Sequence, residues 1–126
     1  MTREEMKART KRYALRIIKA VQALPENRVG NGVGGQVLRS GTSVGANDRA
    51  ACRARSTADF IGKLKIVEEE CDASLDWMEL IMESGLRPPK RLGALMKEGD
   101  GILSIVVAAL KTSRTSRALQ IVNRKS

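Results

Sequence analysis

The sequence predicts an all-α fold, an antiparallel up-down-up-down four-helix bundle, on three observations. Four stretches repeat apolar residues at helical spacing, glycine and proline punctuate the joints between them, and no stretch alternates with the two-residue period of a strand. A chain of 126 residues has material for one core, and short connections make successive helices antiparallel neighbours.

The first helix runs from Thr2 to Leu24. Met6, Tyr13, Ile17, Val21 and Leu24 recur at steps of three, four or seven, Leu15 and Ile18 broaden the stripe, and Pro25 ends it. The glycine-rich stretch Gly30 to Gly35 reads as a turn or a frayed start, so the second helix begins between Arg28 and Gln36. It continues to about Ser56 on Val33, Val37, Val44 and Ala51. Gly41 and Gly45 inside it each cost about 1 kcal/mol relative to alanine, which tertiary packing must offset.

Ser56 or Thr57 caps the third helix, where Phe60, Leu64, Val67, Cys71, Leu75, Met78 and Met82 keep a near-heptad seam. Gly85 stops it and Pro88-Pro89 supplies a fresh start. The fourth helix uses Leu92, Leu95, Met96, Ile102, Leu103, Val106, Ala109 and Leu110. Past Lys111 the apolar pattern thins to Leu119, Ile121 and Val122. The expected organisation is a bundle domain over residues 1–112 and a mobile basic tail over 113–126.

Composition removes several function classes. No histidine is present, which takes away the commonest general base and the usual imidazole metal ligand. Cys52 and Cys71 form no C-x-x-C pair and read as reduced, packed thiols rather than zinc ligands. The charged start and the short apolar run Ile102 to Leu110 predict a cytoplasmic chain, neither secreted nor membrane-spanning.

Gly30-Asn31-Gly32-Val33-Gly34-Gly35 satisfies G-x-G-x-x-G, but no strand precedes it and no βαβ unit surrounds it, so no phosphate cofactor is expected. Asp72, Asp76, Glu79 and Glu83 share one helical face. Di-iron bundles pair such carboxylates with Glu-x-x-His, and here the row reads as a solvated or intersubunit acidic face. Ser40, Thr42 and Ser43 have no histidine to activate them and begin no Ser-x-x-Lys pattern, so neither catalytic residue nor small-molecule substrate is expected. Their small size instead allows close helix approach, with the hydroxyls bonded to the carbonyl one turn earlier. Asn47 is read as satisfying a backbone group in the bundle or at a subunit contact. Tyr13, Phe60 and Trp77 are too few for a base-stacking platform.

The charge is polarised. Residues 1–65 carry 14 basic and 5 acidic side chains, residues 66–110 carry 4 and 9, and residues 111–126 carry 5 and none, giving +9 in all. One use is a phosphate-binding surface that joins Arg3, Lys7, Lys11, Arg12, Arg16 and Lys19 to Lys111, Arg114 and Arg117, since antiparallel packing brings the start of helix one near the end of helix four. A second use sets basic helices of one subunit against the acidic helix of the next, closing a homo-oligomeric ring.

Four ordered segments carry a family resemblance: Tyr13-Ala14-Leu15-Arg16-Ile17-Ile18, Leu38 to Asn47, Ala58 to Leu64, and Val67-Glu68-Glu69-Glu70 running into Trp77-Met78-Glu79-Leu80. The chain resembles the bacterial four helix bundle proteins encoded in intervening sequences of 23S ribosomal RNA genes, and the related accessory proteins of diversity-generating retroelements. That resemblance implies a ring-shaped homo-oligomer, often a pentamer, with no established enzymatic activity and a basic surface associated with nucleic-acid binding. Within the matching segments, Arg39, Ser40, Thr42, Ser43, Asn47 and Glu69 are the expected structural or interface positions. The function expected is non-enzymatic binding of structured RNA, or of DNA, through phosphates. The alternative is an assembly or adaptor protein whose partner is another protein such as a reverse transcriptase.

Overall fold

The computed structural model describes residues 1–87 and 89–125, and among these it contains four helices and no strand. They are α1 (Arg3–Gln22), α2 (Arg28–Ala51), α3 (Thr57–Glu83) and α4 (Pro89–Lys125). The Pro88 half of the expected restart lies outside the described residues.

Local chemistry sets most boundaries. Thr2 caps α1: its side chain accepts from the Glu5 N–H while the Glu5 carboxylate accepts from the Thr2 N–H, a reciprocal capping box. Asn27 accepts from the Gly30 N–H at 2.8 Å and starts α2. Ser56 accepts from the Asp59 N–H, and Asp59 in turn accepts from the Arg55 N–H and from Lys63. At the end of α3, Gly85 has φ +78°, the Leu86 N–H reaches the Ile81 carbonyl and the Gly85 N–H reaches that of Met82. This is a Schellman stop that only a residue tolerant of positive φ enters cheaply.

The core is drawn from all four helices. Tyr13 and Ile17, Val37 and Val44, Val67 and Cys71, and Ile102 and Val106 are almost wholly shielded from solvent. The seams of α3 and α4 pack as their spacing predicts, with Phe60, Met82, Met96, Leu103 and Ala109 half-buried against the core. Leu15 and Ile18 do not join it, being 57% and 37% exposed, because they lie roughly a half and a third of a turn, respectively, from the stripe of Met6, Tyr13 and Ile17.

Neighbouring helices meet where side chains are missing. A methyl group placed on Gly41 would lie 2.8 Å from Ile17 Cγ1, one on Gly45 3.2 Å from Thr10 Oγ1, and one on Gly34 3.2 Å from Leu24 Cδ1. Contacts therefore step down α2 as they climb α1. Arg39 pairs with Glu70 between α2 and α3, and the Cys71 thiol donates to the Gly99 carbonyl between α3 and α4. Between α1 and α3, the Tyr13 and Ser74 hydroxyls share a buried hydrogen bond of 2.7 Å, and Ser74 also bonds the Cys71 carbonyl.

Two stretches differ from the sequence reading. Gly30 to Gly35, read as a turn or a frayed start, forms the first turns of α2, which begins at Arg28, the near bound of the expected window. Gly30 and Gly34 face inward, where a side chain at Gly30 would come 2.0 Å from the Pro25 carbonyl oxygen, so packing overrides the entropic cost of glycine. Beyond Lys111 the chain continues as helix to Lys125, where a frayed end was expected. No glycine or proline follows Gly101, and Thr115 bonds the Lys111 carbonyl.

The glycines separate by environment in a way urea unfolding can read. Gly32→Ala, with nothing within 4 Å of the new methyl, is expected to stabilise the fold by about 0.5–1 kcal/mol. Gly30→Ala is expected to destabilise it by about 1–3 kcal/mol. The thiols separate as well: Cys52 is exposed, whereas burial pushes the Cys71 thiol up to about 12. A thiol-reactive chromophore at mildly alkaline pH should titrate Cys52 alone in the native protein and both cysteines in denaturant. Rapid native labelling of Cys71 would contradict this core.

Candidate nucleic-acid interface

Steps of three and four residues put Arg9, Arg12, Arg16 and Lys19 on one stripe of α1, facing α4. Arg9 Nε and Nη2 each donate to Glu98 at 2.8 Å in a two-pronged pair. That hydrogen bonding holds the Glu98 carboxyl below the usual carboxylate range, against a partial burial that raises it, and the charges of Arg16 and Arg12 add to the lowering. The Arg9 guanidinium lies over Gly101, where a methyl group would sit 2.6 Å from Nη2.

Further along the seam, Arg16 and Lys19 line a groove with Arg87, Arg91 and Leu95. Arg87 Nη1 donates to the Ala23 carbonyl at the end of α1, while its Nε is buried with no hydrogen-bond partner among the described residues. Arg9, Arg87 and Arg91 were absent from the sequence expectation. The 9-12-16-19 spacing carried the signal for Arg9, but Arg87 and Arg91 join the groove only through the tertiary fold.

The remaining expected cations lie elsewhere. Lys7 and Lys11 are exposed on the stripe that carries Leu15 and Ile18. Lys111, Arg114 and Arg117 are exposed on the distal part of α4, where Arg117 and Arg124 line a groove beside Ser56 and Thr57. About 30 Å of helix separates Arg91 from Lys111. The start of α1 does meet the end of α4, since Arg3 shares a groove with Thr112, Ser113 and Ser116. Arg16 and Lys19 are at the other end of that seam. The expected cations thus fall into three groups rather than one: Arg12, Arg16 and Lys19 on the seam, Lys7 and Lys11 on the outer stripe of α1, and Lys111, Arg114 and Arg117 on distal α4.

The small and hydroxylated residues of α2 satisfy themselves. Ser40 donates to the Gln36 carbonyl, Thr42 to Leu38, Ser43 to Arg39, and Asn47 Nδ2 to Ser43. Arg39 reaches Glu70 at 3.3 Å, and Glu69 is exposed next to it. Asp72, Asp76, Glu79 and Glu83 are also exposed along α3. Among the described residues no three acidic or cysteine side chains lie close enough together to hold a metal ion, and no helix is long and apolar enough to cross a membrane.

Fold and surface define a class: an all-α four-helix protein with a basic α1–α4 seam. The particular family follows from comparison. Residues 4–108 match the family described as 23S rRNA-intervening sequence protein, and the chain belongs to it. A crystal structure of a protein of unknown function from the S23 ribosomal protein family of Bacteroides thetaiotaomicron is similar, at 30% identity and a TM-score of 0.82, covering 88% of this chain and 99% of that one. No curated protein matches.

Glu98 is the acid that tempers the seam. Glu98→Gln should raise affinity for a labelled polyanion a few-fold at low salt, with the gain shrinking as salt screens it. Because the folded-state pKa of Glu98 is lowered, its stabilisation is present above the ordinary value of 4.5 and is lost as pH falls through the depressed one. The variant should therefore show a shallower acid loss of stability in pH-dependent melts.

Proposed function

We propose that this chain is a non-enzymatic, homo-oligomeric protein that binds structured RNA, or DNA, through phosphate contacts. The observation that carries the reading is the α1–α4 seam, where Arg16, Lys19, Arg87 and Arg91 line one groove and Arg12 and Arg16 act on the nearby carboxylate Glu98, already engaged by Arg9. Such a row neutralises successive phosphates without reading bases. The distal part of α4, with five cations and no acid from residue 111 onward, extends the same chemistry. Family membership adds the association with a ribosomal RNA intervening sequence.

The stepping contacts between consecutive helices support an up-down-up-down protomer. The exposed acidic row of α3 and the basic stripes of α1 support head-to-tail assembly into a ring, a pentamer by family resemblance, working in the cytoplasm without cofactor. The adaptor reading, with a protein partner such as a reverse transcriptase, draws on the exposed apolar residues Leu15, Ile18 and Leu38 of α1 and α2. A nuclease-insensitive complex together with no RNA binding would favour it.

Fluorescence anisotropy across about 50 to 300 mM salt tests the main reading. Arg12→Gln/Arg16→Gln/Arg91→Gln and Lys111→Gln/Arg114→Gln/Arg117→Gln should each weaken binding to all sequences alike. Each should also flatten the log–log salt slope by about one for every phosphate that is no longer neutralised. Unchanged slopes in both triple variants would remove the phosphate assignment.

A further inference from the structure

Away from the seam, a cleft of about 470 Å³ opens between the start of α1, the end of α2, the start of α3 and the middle of α4. Met6, Phe60, Leu64, Ile105 and Val106 make its walls largely carbon. Among them lies one carboxylate, Asp48, only 2% exposed. No hydrogen bond or ion pair from the described residues reaches that carboxylate. The Arg3 charge acts on it from a distance, and Arg3 itself sits over the Phe60 ring, 5.0 Å from its centroid. Burial pushes the Asp48 carboxyl up, opposed by Arg3.

An acceptor-only group with two oxygens and no donor, held in an apolar cavity, is costly unless something brings donors to it. A cation would supply them but must pass Arg3 in a chain of net charge +9. A neutral ring with two adjacent N–H donors meets neither obstacle. The adjoining groove fits the rest of a nucleotide, because it shares Arg3 and Phe60 with the cleft and adds Arg55, Ser56 and the N-terminal end of α3. The Arg3 and Arg55 guanidinium charges favour a phosphate there, against the Asp59 carboxylate that already caps the positive end of α3. Unstacked RNA bases are read in this manner, stacked on an aromatic or guanidinium plane and hydrogen-bonded along one edge.

We propose that this cleft receives one unstacked guanine of a bound RNA, whose N1–H and N2–H donate to the two carboxylate oxygens of Asp48 beside Phe60 and Arg3. The proposal rests on the RNA-binding reading above and adds base selectivity to it. Adenine presents no such pair of donors, and inosine keeps N1–H but lacks the 2-amino group.

The test uses the full chain and fluorescein-labelled RNA hairpins that differ only in a single bulged nucleotide: guanosine, inosine or adenosine. Guanosine should bind about 10-fold tighter than adenosine, the discrimination expected of one two-pronged base contact, with inosine between them. Asp48→Asn should abolish the preference and leave the adenosine hairpin bound as before. Arg114→Gln/Arg117→Gln should weaken all three hairpins alike and keep their ratio. Equal affinity of the wild-type protein for the three hairpins overturns the guanine site and leaves phosphate binding standing. Absence of binding to any hairpin at low salt overturns both.

Discussion

The position of α1 depends on space left by glycines on either side of it. Toward α2, Gly34, Gly41 and Gly45 admit Val21 and Leu24, Ile17, and Thr10. Toward α4, Gly99 admits the Tyr13 hydroxyl and Leu75, and Gly101 admits the Arg9 guanidinium. Any side chain at Gly41 or Gly99 would press on Ile17 or Tyr13, both fully buried, in a core packed too densely to yield without cost. The same close approach sets the chemistry of the surface. Arg9 reaches Glu98 only across Gly101, and the Tyr13–Ser74 bond forms where Gly99 leaves room for the ring. Both depend on α1 standing in one register between its neighbours.

The polar residues of α2 follow from that proximity. Where a helix must be narrow, serine and threonine serve if their hydroxyls are satisfied locally, and Ser40, Thr42 and Ser43 bond the preceding turn of their own helix. Asn47 does the same through its amide. These bonds leave the face polar without leaving donors unpaired. The acid at the buried phase of the same helix is different: Asp48, four residues after Val44 and three before Ala51, has no such local partner. Its spacing was visible in the sequence, but the cavity around it belongs to four helices and was not.

Much of the fold was legible because periodicity and caps are local. The stripe of Met6, Tyr13 and Ile17, the cap at Ser56 and the stop at Gly85 each depend on residues within a turn or two, and each is found where expected. The reading failed where distant contacts decide. Gly30 to Gly35 carries the local signature of a turn, yet the Asn27 cap and inward packing of Gly30 and Gly34 make it helix. Summing charge along the chain merged Arg16 and Lys19 with Lys111, Arg114 and Arg117, although α4 carries those groups to opposite ends of the seam. Arg87 reaches the groove from the α3–α4 connection and Arg91 from the first turn of α4, neither of which a spacing rule links to α1.

Segregation of charge matters more than its total. The acids of α3, Asp72, Asp76, Glu79 and Glu83, are exposed in one row, and α1 and α3 do not adjoin through their backbones. On the seam, the carboxylate on which Arg12 and Arg16 act is Glu98, and Arg9 already pairs with it, so it offsets little of the remaining charge. A polyanion approaching the chain would therefore be attracted on the α1–α4 side and repelled on the α3 side. That asymmetry orients it before any contact forms. Arg3, over the Phe60 ring, stands where the start of α1 meets distal α4, at the junction of the two basic stretches.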